Sequence, residues 1–300
     1  MNFMKWRWLY FLISLLIIIP GVISLAVYGL KPAIDFTGGS LLEISFLEIT
    51  EDRELNVVNL EENLQDIYEL SSIQQSGENQ VILKGKNIDN ELKNEVLSIL
   101  TQEYGEISEK RFETVGPSLG KELLAKTLVG VVIANGLIMI YIWIQFSELK
   151  YGVSAILAMF HDSLILLGIF SLLGHFYGIE VDMLFVTALL TTLSLSVHDT
   201  IVVYDRIREL RKKYSRHSLV SLINTAVTET LSRSINNSIT IIIMLAAMVL
   251  LGGDTIHWFA VALLIGAITG TYSSTFIAAP LLLLWEDVSD RLRRQKRKKK

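Results

Sequence analysis

The chain contains no cysteine. Disulfide scaffolds, thiolate metal sites and thiol nucleophiles are therefore excluded. Proline is rare, with 4 in 300 residues, so long helices can run without interruption. Charge is also missing over long stretches. Residues 9–30, 127–146, 152–177, 183–204, 234–251 and 256–285 hold no lysine or arginine, and their acidic residues are Asp162 and Asp199 alone. No phosphate-binding glycine loop with lysine, no Gly-x-Ser-x-Gly and no His-Glu-x-x-His occurs. Two dipeptides, His161-Asp162 and His198-Asp199, fall in separate runs with no third cluster, which is too little for a metal site. The expectation is a protein that is not an enzyme, with no catalytic residues, no metal and no cofactor.

What the chain has in abundance is apolar length. Hydrophobic residues make up 51% of it, and the mean hydropathy is +0.45. A helix needs about 20 apolar residues to cross a bilayer core, and each of the six runs approaches or exceeds that. Residues 9–30 are too long for a signal-peptide core and are read as an anchor, with a kink expected at Pro20-Gly21. The net charge of -4 hides an asymmetry: residues 31–122 hold 8 basic and 19 acidic residues. Basic residues gather elsewhere, at Lys5 and Arg7, at Lys150, from Arg206 to Arg216, and in the tail from Arg291 to Lys300. Six spans put all of these on one side, which the positive-inside rule makes cytoplasmic. Both termini are then cytoplasmic, and segment 31–122 is extracytoplasmic. Residues 205–233 are expected as an amphipathic helix on the membrane surface. The tail, 286–300, is expected as a disordered, solvated charge run.

Segment 31–122 has the pattern of a small α+β domain. Strands are expected at 41–46, 72–75, 80–83 and 107–115. Helices are expected at 57–70, from the spacing of Val57, Leu60, Leu64 and Ile67, and at 88–104, from Leu92, Val96 and Leu100. A turn is expected at Gly77-Glu-Asn. The order β-α-β-β-α-β points to a ferredoxin-like sandwich inserted between the first and second spans. At its root, Asp35-Phe-Thr-Gly-Gly39 implies a tight turn at Gly38 and Gly39.

Ionisable groups inside spans cost about 2.5–3.5 kcal/mol each at the helix centre on insertion scales, so each invites a role. Asp199 is read as a carrier of protons or ions, against the alternative of a polar clamp that fixes helix register. Asp162 stands between the same two readings. Asp205 and Arg206 close the fourth span. Arg233, followed by Asn236 and Asn237, opens the fifth, and by position alone it is a topology residue. Gly266-x-x-x-Gly270 gives the sixth span a small-residue face that another helix can approach closely.

Together, Asp35-Phe-Thr-Gly-Gly39, Val202-Val-Tyr-Asp-Arg-Ile-Arg-Glu209, Leu231-Ser-Arg-Ser-Ile-Asn236 and Gly270-Thr-Tyr-Ser-Ser274 resemble the bacterial protein-export membrane proteins of the SecF family. The resemblance spans the chain in order and spacing. It is to the stand-alone form, within the resistance–nodulation–division superfamily. It implies a six-helix half-unit completed by SecD. It further implies partnership with the SecYEG translocon and YajC- or YidC-type accessory proteins, unfolded exported polypeptide as the substrate, and the proton- or sodium-motive force as the energy source. No nucleic-acid partner is expected. It also implies that Asp199 and Arg233 are coupling residues. His198 departs from the family's usual asparagine, which leaves the ion open; it either joins the relay or simply replaces one hydrogen-bonding group with another. The competing expectations are an ion-driven small-molecule or lipid exporter of the same superfamily, and a structural assembly factor without ion coupling.

Overall fold

A computed structural model describes residues 2–47, 60, 63–64, 67–75, 79–146 and 148–298. In chain order the elements are α1 (Arg7–Val27), the single turn α2 (Ile34–Thr37), β1 (Gly39–Phe46), β2 (Leu70–Gln75), β3 (Gln80–Gly85), α3 (Asn90–Tyr104), β4 (Ile107–Val115), α4 (Pro117–Gln145), α5 (Leu149–Tyr177), α6 (Met183–Lys213), α7 (Leu219–Leu251), α8 (Asp254–Ser273) and α9 (Ala279–Lys298). A π turn, Ser274–Ala278, joins α8 to α9. The chain forms two compact units, Pro32–Val129 and the remainder.

In the smaller unit the period-2 pattern decides which face is buried. Leu42, Ile44 and Phe46 of β1 alternate inward and are at most 2% exposed. Leu42 sits opposite Leu83 and Ile44 opposite Val81 across an antiparallel pairing with β3. The sheet order is β2-β3-β1-β4, and every neighbouring pair is antiparallel. This is the ferredoxin-like arrangement, with β1 and β3 central. Asp89 caps α3 by accepting from Leu92 N at 2.9 Å, and the helix buries Val96 and Leu100 against the sheet. Leu60, Leu64 and Tyr68, four residues apart, reach the same core. Val57 and the turn expected at Gly77 and Glu78 lie outside the described residues. The Tyr68 hydroxyl donates to Ser40 O at 3.2 Å, and its burial pushes the phenol up to about 12.

The turn at Gly38 and Gly39 has φ of 75° and 133°, in the region that favours glycine. A side chain at Gly38 would meet the Pro117 backbone, and one at Gly39 would meet the Gly85 carbonyl. The motif thus lets the chain entering β1 lie directly against the start of α4.

Among the described residues, six helical segments are long and apolar enough to cross a membrane: Phe3–Val27, Pro117–Gln145, Leu149–Tyr177, Met183–Lys213, Leu219–Leu251 and Thr255–Ser289. α1 continues unbroken through Pro20. Its Gly21 lies against Gly168 of α5 so closely that a Cβ there would come within 2.9 Å of the opposing Cα. Ser24 and Ser171 hydrogen bond across the same seam at 2.8 Å. α8 meets α6 in the same manner, with Gly266 under the side chain of Thr192 and Gly270 against Ser196. Where α8 passes into α9, the Tyr204 hydroxyl donates to the Ala278 carbonyl at 2.9 Å, satisfying an acceptor in the π turn.

Two expectations fail. Residues 205–233 do not form a separate surface helix: α6 continues to Lys213 and α7 begins at Leu219, capped by Ser218. No glycine or proline interrupts 205–233, so the two spans propagate past the apolar runs and turn only at 214–218. Likewise the tail is helical through Lys298, for its arginines, lysines and glutamine are good helix formers.

Candidate functional site

Two carboxylates, Asp162 and Asp199, lie within the apolar runs of the membrane-spanning helices, and their surroundings differ. Asp162 of α5 is 4% exposed. The hydroxyls of Ser196 (α6) and Ser273 (α8) converge on its Oδ2 at 2.5 and 2.6 Å. His161 Nδ1 meets its Oδ1 at 2.8 Å, and His161 Nε2 meets Ser14 Oγ of α1 at 2.8 Å. One polar hub thus joins four helices. Each member faces the hub because its own helix turns a small polar residue inward among apolar ones. Ser273 is three residues beyond Gly270, and Ser196 is four beyond Thr192, so both extend the seam that Gly266 and Gly270 open.

Asp199 of α6 is half-buried, and its Oδ2 accepts from Ser234 Oγ of α7 at 3.0 Å. It makes no ion pair with any described residue. Beside it is a crevice of about 20 Å³, room for one water, lined among others by His198, Asn237, Ser238, Gly270 and Thr271. His198 is exposed and also borders a wider cleft of about 330 Å³ shared with α4 at Ile138 and Tyr141. A carboxylate held by one neutral hydroxyl, next to a water-sized opening and an imidazole, has both a proton acceptor and an approach to it.

The other singled-out residues separate into groups. Arg233 is exposed and forms no ion pair with a described residue; its neighbour Ser234 is the residue that meets Asp199. Asn236 is exposed one turn along the same helix. Asp205 pairs with Arg208 at 3.3 Å, while Arg206 reaches Glu229 at 2.6 Å and also Glu209, tying the extended ends of α6 and α7 together. Gly266 and Gly270 serve packing. Asp35 lies in the single turn α2, ahead of the Gly38–Gly39 bend. Among the described residues no cluster of three or more His, Asp or Glu is placed to hold a metal. Sequence reasoning gave the site's serines no role as partners of the buried groups. Ser14, Ser196, Ser234 and Ser273 partner the buried His161 and the two carboxylates, and the signal was a lone hydroxyl at helical spacing inside an otherwise apolar run.

Comparison with known proteins bears on this arrangement. The C-terminal domain model of the protein export membrane protein SecD/SecF matches residues 95–288, and the SecD/SecF GG motif matches residues 23–46, which contain Gly38 and Gly39. The protein translocase subunit SecF of Thermobaculum terrenum is 39% identical over 298 residues, covering 95% of this chain and 94% of that one. The SecF subunit of Anaerolinea thermophila is 40% identical over 292 residues, covering 95% and 94%. Among solved structures, SecDF from Thermus thermophilus, described as a translocon-associated membrane protein, superposes with a TM-score of 0.85 at 30% identity. That match covers 96% of this chain and 39% of the SecDF chain, so the likeness is to a part of the larger protein. With its six apolar helices, its GG turn and these matches along nearly its whole length, the chain is a multi-pass membrane protein that belongs to the SecD/SecF family of protein export membrane proteins.

Proposed function

We propose that this chain is the SecF half of a SecD–SecF unit in which Asp199 carries the coupling ion for polypeptide export. The observation that carries the proposal is a polar stripe on membrane-spanning surface. Thr187, Thr191, Ser194 and His198 are exposed along α6, and Arg233, Asn236, Asn237 and Thr240 are exposed along α7. Polar groups facing hydrocarbon are costly. The stripe therefore calls for a second set of helices, which a SecD-type partner would supply. Asp199 bridges to Ser234 at the seam between the two rows, where a partner helix and a thread of water would both arrive. Arg233, one residue from Ser234, is then the cation that balances the ionised carboxylate from the partner's side. His198 and Asp162 are assigned supporting roles: His198 at the mouth, and Asp162 as the hub that holds four helices in register.

By the positive-inside rule the ends at Arg206–Lys213 and the tail are cytoplasmic, and the unit Pro32–Val129 faces outward. That unit would hold or release unfolded polypeptide emerging from SecYEG as the ion passes. One charge crossing 100 mV supplies about 2.3 kcal/mol, enough to bias a domain motion of modest stability. The coupled ion is a proton or sodium. The relatives carry protein-translocase names, which favours polypeptide over a small molecule or lipid as the cargo.

The test is export of a secreted reporter in cells whose native subunit is replaced. Asp199→Asn should abolish the part of export that depends on the ion gradient. Arg233→Lys should retain more of it than Arg233→Gln. Unchanged gradient dependence in Asp199→Asn sinks the coupling role and leaves the structural assembly factor.

A further inference from the structure

At the cytoplasmic ends of α5 and α6, two buried donors lack acceptors. Tyr151 is 1% exposed, yet its hydroxyl has no hydrogen-bond partner among the described residues, and neither does Arg211 Nη1. The Arg211 guanidinium faces the Tyr151 hydroxyl and interacts with it, but not at hydrogen-bonding geometry, so neither atom is satisfied by the other. Both line one cleft of about 410 Å³, together with Glu148, Arg208 and Lys212.

The cleft's charges are unevenly balanced. Lys150 lies 2.8 Å from Glu148 and 2.9 Å from Glu286, so both carboxylates are already engaged. Arg208 is held over the Phe146 ring, 5.5 Å from its centroid, and also bonds Asp205 and the Gln145 carbonyl. Arg211 touches Glu286 only at 3.5 Å, through Nη2, which leaves Nη1 unused. Lys212 is exposed and forms no ion pair with a described residue. A buried donor without an acceptor is destabilising. Two such donors, one of them on the incompletely neutralised Arg211, together with the unpaired Lys212 ask for one compact anion with several acceptor oxygens, and a phosphate group has that shape and charge.

Depth identifies the source. A hydrocarbon core of about 30 Å beginning at Met183 ends near residue 203 at 1.5 Å per residue. Arg208 and Arg211 then lie roughly 8–12 Å beyond it, in the headgroup layer. Leu149, adjacent to Glu148, is 62% exposed and offers an apolar surface for an acyl chain. We propose that this cleft binds the phosphate of an anionic lipid headgroup, with Arg211, Lys212 and the Tyr151 hydroxyl as donors and Arg208 at its rim.

The test uses the full chain in nanodiscs of phosphatidylcholine, with and without phosphatidylglycerol. Retention of each lipid after detergent extraction is read by native mass spectrometry, and the unfolding temperature is measured alongside. Phosphatidylglycerol should be retained selectively and should raise the unfolding temperature. Arg211→Gln should weaken its retention about tenfold, the usual effect of losing one charge-assisted hydrogen bond. Tyr151→Phe keeps the packed ring, and Lys212→Gln alters an exposed side chain, so both should fold; each should weaken retention in the same direction. Arg216→Gln, on the turn outside the cleft, should change nothing. If inorganic phosphate stabilises the chain in phosphatidylcholine alone and phosphatidylglycerol adds nothing, the lipid assignment is overturned in favour of free phosphate. Retention that is equal for both lipids, or unaltered in Tyr151→Phe and Lys212→Gln, overturns the site.

Discussion

Replacing Ser196 and Ser273 together by alanine strips Asp162 Oδ2 of both its hydroxyl partners, at 2.5 and 2.6 Å, and leaves only His161 on the other oxygen. Both serines are at most 1% exposed. Each substitution removes a single oxygen, so little room opens for water to take its place. The size of the loss depends on the charge the carboxylate bears. Hydrogen bonds to a charged group contribute about 1.5–3 kcal/mol each. Interhelical hydrogen bonds between neutral groups in a membrane protein average about 0.6 kcal/mol. Two hydroxyls converge on this one carboxylate oxygen, so the double variant should lose about 3 kcal/mol or more. The assay is reversible unfolding of the purified chain in mixed micelles, repeated in an Asp162→Ala background. There the same serine changes should cost below about 1 kcal/mol, since they have no carboxylate to abandon. A loss under about 1 kcal/mol with Asp162 intact would refute the reasoning, and so would an equal loss in both backgrounds.

Three further outcomes follow from the packing, the smaller unit and the proposed partner surface. Gly168→Ala should destabilise the larger unit by about 1–3 kcal/mol, because the new methyl meets the Gly21 backbone. Gly136→Ala on α4, where nothing lies within 4 Å, should cause no loss. The stability of the unit Pro32–Val129, followed by hydrogen exchange of β1 in the full chain, should fall as pH rises from about 10 to 12. The unfolded Tyr68 ionises near 10 while the folded one holds its proton to about 12, so the native state binds more protons across that window. Tyr68→Phe should flatten that decline. The chain has no native cysteine, so single cysteines at Thr191, Ser194 or Asn237 should cross-link to a co-expressed SecD-type partner, whereas cysteine at Leu250 on the same helix α7, 79% exposed, should not.

The helices were legible in the sequence because apolar runs of that length have few other destinations. β4 was legible to the residue, since Gly105 and Pro117 punctuate it on either side. The helix ends were not, because hydropathy falls at Asp205 and Arg233 while helix propensity does not. The phase of α7 was also hidden. Its apolar residues ring the helix almost evenly, so the sequence could not say that Ser234, and not Arg233, is the residue that meets Asp199. Asp162 was visible as a costly charge. Ser196 and Ser273 reach it from two other helices, and Ser14 joins from a third through His161, so their convergence exists only in the fold.

The most direct test of Asp199 as the coupling group is translocation in vesicles that contain the SecYEG channel, a SecD-type partner and this chain. A proton or sodium gradient is imposed after the motor ATPase has been stopped. The wild-type chain should complete translocation of a stalled polypeptide under one of the two gradients, and Asp199→Asn should do no better than vesicles without a gradient. Equal gradient-driven completion by the wild type and Asp199→Asn would contradict the account.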